Sequence, residues 1–180
     1  DEATEIDQAD SLTFIICKAT QGTTGVDPDF SENWKTIKTK KMILGAYHFY
    51  LTNEDPVLQA KHFLNTLSML GKTDMVPIVD IEQQSLTTNK PHNASEIQKD
   101  FLLFLNYIES ASGRIPMIYT APAFANQYLT DTVFSKHPLW IAEYTTAPKP
   151  RIPVAWKKKG YKIWQKSATY KINSHVTDYD

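Results

Sequence analysis

The run Val76-Pro77-Ile78-Val79-Asp80-Ile81-Glu82 closes an apolar stretch with two carboxylates two residues apart. On an extended strand such residues project from one side, with Cα atoms roughly 6 to 7 Å apart. Mutual repulsion and partial burial then raise one carboxyl pKa, setting a protonated acid beside an ionised partner, as cleavage of a glycosidic bond requires. A charged pair at the carboxyl end of an apolar strand also sits where barrels and open α/β sheets place their sites. Taken alone, Asp-x-Glu is more often a solvated or salt-bridged strand end. Its company gives it weight: other apolar runs end in Lys18 and Thr20, Tyr47 and His48, Tyr119 and Thr120, Glu143 and Tyr144, Trp164 and Gln165, and Asp178. Aromatic rings beside hydrogen-bonding groups suit the apolar C–H faces and hydroxyls of sugars.

Other chemistries find little support. His48, His62, His92, His137 and His175 lack the spacing of a metal site, and the lone Cys17 excludes thiolate cages, so neither metal nor cofactor is expected. The segment 20–25, Thr-Gln-Gly-Thr-Thr-Gly, lacks the lysine of a phosphate loop and the third glycine of a dinucleotide loop, and no Gly-x-Ser-x-Gly elbow occurs. His48 reads as a hydrogen-bonded core histidine, and Trp34 and Trp156 read as packing residues. Trp140 and Trp164 divide evenly between core and pocket wall.

The elements that must position these groups follow from apolar periodicity. Near-continuous apolar runs at 12–18, 43–50, 76–82, 115–120, 138–144, 161–166 and 174–179 read as strands covered on both faces. Between them, Asp29–Lys40 reads as a helix with Phe30, Trp34, Ile37 and Lys41 along one side. Asp55–Met69 follows, with Pro56 in its first turn and Ala60, Phe63, Leu64 and Leu67 facing in. A third helix opens with Ser95 and Gln98 in capping-box spacing, carries Ile97, Phe101, Phe104, Leu105 and Ile108, and ends at Gly113. A shorter one spans Ala121–Leu129, and the proline-rich stretch 145–153 reads as a surface loop. Alternating strands and helices predict an α/β fold, either a barrel or an open parallel sheet.

At 180 residues and 42% hydrophobic content, the chain is expected to form one domain over 1–180. A net charge of -1 argues against bulk attraction to nucleic acid. Charge is unevenly placed. Asp1, Glu2, Glu5, Asp7 and Asp10 open the chain, while Lys149, Arg151, Lys157, Lys158, Lys159, Lys162, Lys166 and Lys171 fall in 145–172 without an acid. Solvated surface is the simpler reading of both; contact of the basic stretch with an anionic polymer such as a cell wall is the functional one. No run approaches a membrane span of about 20 apolar residues, and no secretory leader is seen. Asn93-Ala94-Ser95 fits a glycosylation acceptor, a match that often arises by chance.

Several segments together resemble glycoside hydrolase family 25, the lysozymes often called N-acetylmuramidases. They are Phe14-Ile-Ile-Cys-Lys-Ala-Thr-Gln-Gly-Thr, Asp27-Pro-Asp-Phe, Leu44-Gly-Ala-Tyr-His-Phe-Tyr, Pro77-Ile-Val-Asp-Ile-Glu, Ile118-Tyr-Thr, Leu139-Trp-Ile-Ala-Glu-Tyr and Ile163-Trp-Gln, in the family's order over nearly the whole chain. The resemblance implies an irregular, TIM-like β/α barrel with one largely parallel sheet. It also implies hydrolysis of the β-1,4 bond between N-acetylmuramic acid and N-acetylglucosamine. By position Glu82 matches the proton donor, Asp80 the carboxylate that supports developing charge or orients the acetamido group, and Asp178, or Asp180 in a shifted alignment, a third acid. Tyr47, Tyr119, Trp140, Tyr144 and Gln165 would line the sugar groove.

Family members open with a Gly-x-Asp-x-Ser strand, whereas here Asp1–Asp10 leads directly into the second family strand, and Gln21 stands where many members carry an acid. A domain trimmed at both ends is therefore expected. The resemblance further implies peptidoglycan glycan strands as partner, a monomer, and a secreted or wall-associated location. A catalytically weak or silent peptidoglycan-binding module on the same fold is the alternative. The longer acidic run of chitinase barrels fails at Met75 and Ile78.

Overall fold

The computed structural model describes residues 13–40, 42–68, 73–86, 93–172 and 175–179, with side chains through 169. Its centre is a seven-stranded sheet curled into a half-barrel. In chain order the strands are β1 (Phe14–Gln21), β2 (Gly25–Val26), β3 (Ile43–Phe49), β4 (Ile78–Asp80), β5 (Met117–Thr120), β6 (Leu139–Ala142) and β7 (Ile163–Gln165). Across the sheet they run β2-β1-β3-β4-β5-β6-β7, every pair parallel except the short β1–β2 hairpin.

Four helices provide the crossovers: α1 (Phe30–Lys38), α2 (Pro56–Ser68), α3 (Ala94–Ser112) and α4 (Pro122–Tyr128). All four match the helices expected from periodicity. The first three bury the predicted stripe: Phe30, Trp34 and Ile37 on α1, Ala60, Phe63 and Leu67 on α2, and Ile97, Phe101, Phe104, Leu105 and Ile108 on α3. Leu64 is only partly buried, and Lys41 lies outside the described residues. Asp55 starts α2, its Oδ1 accepting from the Val57 and Leu58 N–H groups at 2.8 Å each, so two end donors are satisfied ahead of Pro56.

Strand alternation divides the interior in two. Outward residues such as Val79, Ile81, Ile118 and Ile141 join the helix stripes in the main core. Inward residues Ile78, Met117, Tyr119, Trp140 and Ala142, with Tyr47, Ile16, Met75, Val76 and Ile163 against them, form a smaller cluster on the concave face. Full burial of a large apolar side chain stabilises by about 1.5 to 3 kcal/mol, so the helix layer fixes the sheet's shape and the concave side is left to hold a site.

Three expectations need correction. The N-cap of α3 is Asn93, whose side chain accepts from the Ser95 N–H at 2.9 Å, while Gln98 donates to the Ala94 carbonyl at 3.2 Å. Asn93 already has the extended backbone a cap requires, so Ser95 falls inside the helix. Next, the expected single sheet is accompanied by a second: β8 (Ser167–Ile172) pairs antiparallel with β9 (His175–Tyr179). Only Lys166 separates β7 from β8, and a parallel crossover needs a dozen or more residues, so the chain turns into a hairpin instead. Finally, β4 ends at Asp80, leaving Glu82 just beyond the strand.

The packing tryptophans and the proline-rich loop are found as expected. Trp34 and Trp156 are fully buried, and most of 145–153 is exposed. Glu143 ties that loop down by accepting from both the backbone N–H and the guanidinium of Arg151.

Candidate active site

Parallel register assembles one continuous row across the concave face. Gln21 pairs with Phe49, Phe49 with Asp80, Asp80 with Tyr119, Tyr119 with Trp140, and Trp140 with Ile163. Residues in register point the same way, so Asp80 stands between Phe49 and Tyr119 with the apolar pair Ile78 and Met117 in the layer below.

Glu82 reaches the same side because Ile81 is fully buried in the helix-side core, and alternation returns the next side chain to the concave face. Backbone bonds continue past the end of β4: the Tyr50 N–H donates to the Asp80 carbonyl at 2.9 Å and the Ile81 N–H to the Tyr119 carbonyl at 3.0 Å. Beyond them a reciprocal clamp holds the glutamate's backbone. Its N–H donates to Ser85 Oγ at 3.0 Å, and the Ser85 N–H returns to its carbonyl at 2.9 Å. Asp80 is 8% exposed and Glu82 half-buried, so the first sits deep and the second at the rim.

Tyr119 senses both acids. Burial pushes its phenol well above the usual range, with the negative charge of Asp80 next in importance and Tyr144 and Glu82 adding to it. The phenol therefore stays protonated and donates to Gln165 Oε1 at 2.7 Å. Tyr144, a residue 58% exposed at the rim, donates to the same oxygen at 2.9 Å. Two phenols converging on one amide oxygen fix which way Gln165 is turned, because only the oxygen can accept. Trp140 packs edge-on against Tyr119 with ring centroids 4.7 Å apart.

Of the residues singled out from sequence, Asp80, Glu82, Tyr119, Trp140, Tyr144 and Gln165 are brought together. Tyr47 belongs to the concave cluster one layer below, in register with Ile78. Asp178 has its backbone in β9, and its side chain lies outside the described residues.

The adjacent pairs of polar strand-end residues split as alternation demands. Thr20, His48 and Trp164 turn to the helix side, while Tyr47, Tyr119 and Gln165 turn inward. His48 is fully buried, ring-stacked with Phe104 at 5.3 Å and bonded to Thr20 Oγ1 at 2.8 Å and Gln59 Oε1 at 3.3 Å. Burial lowers its pKa to about 3, so it is a neutral core residue.

Two contributors were not foreseen. Phe49 flanks Asp80 and carries the Lys18 ammonium over its ring at 5.1 Å, while Lys18 donates to Gln21 Oε1 at 2.8 Å. Its signal was the period of two from Tyr47. Ser85, the clamp on Glu82, was signalled by its spacing three residues on. Among the described residues no cluster of three His, Cys, Asp or Glu side chains could hold a metal ion, and no helix is long and apolar enough to cross a membrane.

The arrangement offers two carboxylates of unequal burial beside a neutral phenol and an indole, above an apolar floor. Comparison with known proteins places it in context. The family model described as Glycosyl hydrolases family 25 matches residues 4–175. The chain is 30% identical over 156 residues to YegX of Escherichia coli K12, covering 87% of this chain and 53% of that protein. It is 31% identical over 142 residues to the autolytic lysozyme of Clostridium acetobutylicum, covering 79% and 41% respectively. It thus spans about half the length of the curated relatives it matches. Its fold is similar to that of a bacterial lysozyme from Streptomyces coelicolor, with a TM-score of 0.83 at 23% identity over 98% of this chain and 83% of that one.

Proposed function

We propose that this chain, which belongs to glycosyl hydrolase family 25, cleaves the β-1,4 bond between N-acetylmuramic acid and N-acetylglucosamine in bacterial peptidoglycan. The observation that carries the reading is the placement of Asp80 and Glu82 on the concave face at the carboxyl end of β4, with Asp80 in register with Tyr119. Glu82, at the rim, protonates the leaving oxygen. Asp80, deeper in the row, supports the positive charge at the anomeric carbon, directly or through the acetamido oxygen of the sugar. Asp178 completes the acidic set. Trp140 and Tyr144 present aromatic surface to the sugars, Tyr119 and Gln165 supply fixed polar groups, and Tyr47 lies below them. The half-barrel is the larger part of an irregular β/α barrel, and the enzyme acts outside the cell or at the wall without a cofactor.

Purified peptidoglycan treated with the protein and then reduced with borohydride tests the bond assignment. Muramitol ends are expected. Glucosaminitol ends would overturn the assignment, and no new ends at all would overturn the activity.

A further inference from the structure

The catalytic reading leaves one feature unused, the basic stretch after Tyr144. Strand alternation turns Trp164 to the face of β7 opposite Ile163 and Gln165, hence away from the pocket, and Lys162 and Lys166 flank the strand at its two ends. Lys157, Lys158 and Lys159 precede them in a turn held by two bonds to the carbonyl of Trp156, from Lys159 N–H at 2.9 Å and Gly160 N–H at 2.8 Å. Gly160 takes φ +72 there, and Trp156 is anchored in turn through its indole N–H to the His137 carbonyl at 2.9 Å.

All five lysines are exposed, and among the described residues none has a carboxylate within salt-bridge distance. Arg151 differs, being occupied by Glu143. Between Lys159 and Lys166 in the chain lies an aromatic pair. Tyr161 meets Trp164 edge-on at 6.5 Å, Lys166 lies 4.9 Å over the Trp164 ring, and the indole N–H is fixed to the Glu143 carbonyl at 2.9 Å. A like-charged cluster repels itself and adds nothing to folding, and in a chain of net charge -1 it is a local concentration.

We propose that this strip is a second binding surface for the wall, taking a neighbouring peptidoglycan strand through the carboxylates of its peptide stems, with the exposed Tyr161 against a sugar face. The inference rests on the hydrolase reading above. Charge favours this occupant: peptide stems carry the carboxylates that the five exposed ammonium groups lack, and Lys166 directly follows Gln165 of the groove strand. The strip tethers the protein to an insoluble network and leaves the cleavage of short soluble fragments unchanged.

The test is sedimentation with sacculi freed of phosphodiester polymers by hydrofluoric acid, using a Glu82→Gln background so that the walls stay intact. Replacing Lys157, Lys158 and Lys159 by Gln is expected to weaken binding about tenfold, and Tyr161→Ala to weaken it further. Binding that is undiminished in the triple variant, or that disappears from the parent once phosphodiester polymers are removed, would overturn the proposal. Hydrolysis of soluble fragments is read separately with Glu82 intact, where the triple variant should match its parent. If neither hydrolyses, the enzymatic reading fails while sedimentation still decides the strip.

Discussion

Acidification should destabilise this fold through His48 in particular, and its geometry sets the size of the effect. Gln59 Nε2 donates to the Leu51 and Glu54 carbonyls, so its Oε1 faces the histidine as an acceptor. The imidazole therefore carries its proton on Nε2 and accepts from the Thr20 hydroxyl at Nδ1. A second proton would put a charge between Phe63 and Phe104, and His62 and Lys18 oppose it further. With a folded pKa of about 3 against 6.5 unfolded, the neutral ring's contribution is complete above pH 6.5 and is lost as pH falls toward 3. At pH 4.5 the unfolded chain has taken up its proton and the folded chain has not, which costs about two pK units, or about 3 kcal/mol.

Urea unfolding of the parent and of His48→Gln at pH 7 and pH 4.5 isolates this residue, because titration of other groups cancels in the difference. The variant should be less stable at pH 7 through lost ring packing, and the gap should close by about 3 kcal/mol at pH 4.5. A gap that stays constant between the two pH values would refute the reasoning.

Gln165→Leu should leave the buried Tyr119 hydroxyl without its acceptor and cost about 1 to 3 kcal/mol; adding Tyr119→Phe should recover part of that loss in a double-mutant cycle of urea midpoints. Gly22→Ala should destabilise by about 1 to 2 kcal/mol in thermal melts, because the residue takes φ +57 and its Cβ would lie 2.7 Å from the Glu54 carboxylate that binds the Thr23 N–H. Asn93→Ala should cost about 1 kcal/mol by the same melts, whereas Ser95→Ala should cost much less, since Asn93 provides the cap.

The periodic elements were legible because burial writes a period into the chain. The stripes of α1, α2 and α3 and the apolar runs of β1, β3, β5 and β6 were read nearly as they stand. The pairing of Asp80 with Tyr119 and of Tyr119 with Trp140 was not, since register between strands separated by a helix is set by packing and not by local pattern. Ambiguity over Trp140 and Trp164 had the same origin: alternation says that they face opposite ways only once their strands are known to be neighbours in register. The cap of α3 was misplaced because Ser95 and Gln98 mimic a capping box, while Asn93, two residues earlier, has the extended backbone that frees its side chain to cap. The β8–β9 hairpin was half seen, β9 as a strand and β8 not at all, because Ser167–Ile172 mixes polar and apolar residues without a continuous run.

The account turns on Glu82 as the proton donor. Glu82→Gln keeps the size of the side chain and the backbone clamp to Ser85 but removes the acid. Turnover of purified peptidoglycan, followed by release of reducing ends with thermal unfolding as the control for folding, is expected to fall by at least about a hundredfold with the melting temperature unchanged. A folded variant that still releases reducing ends at the parental rate would contradict it.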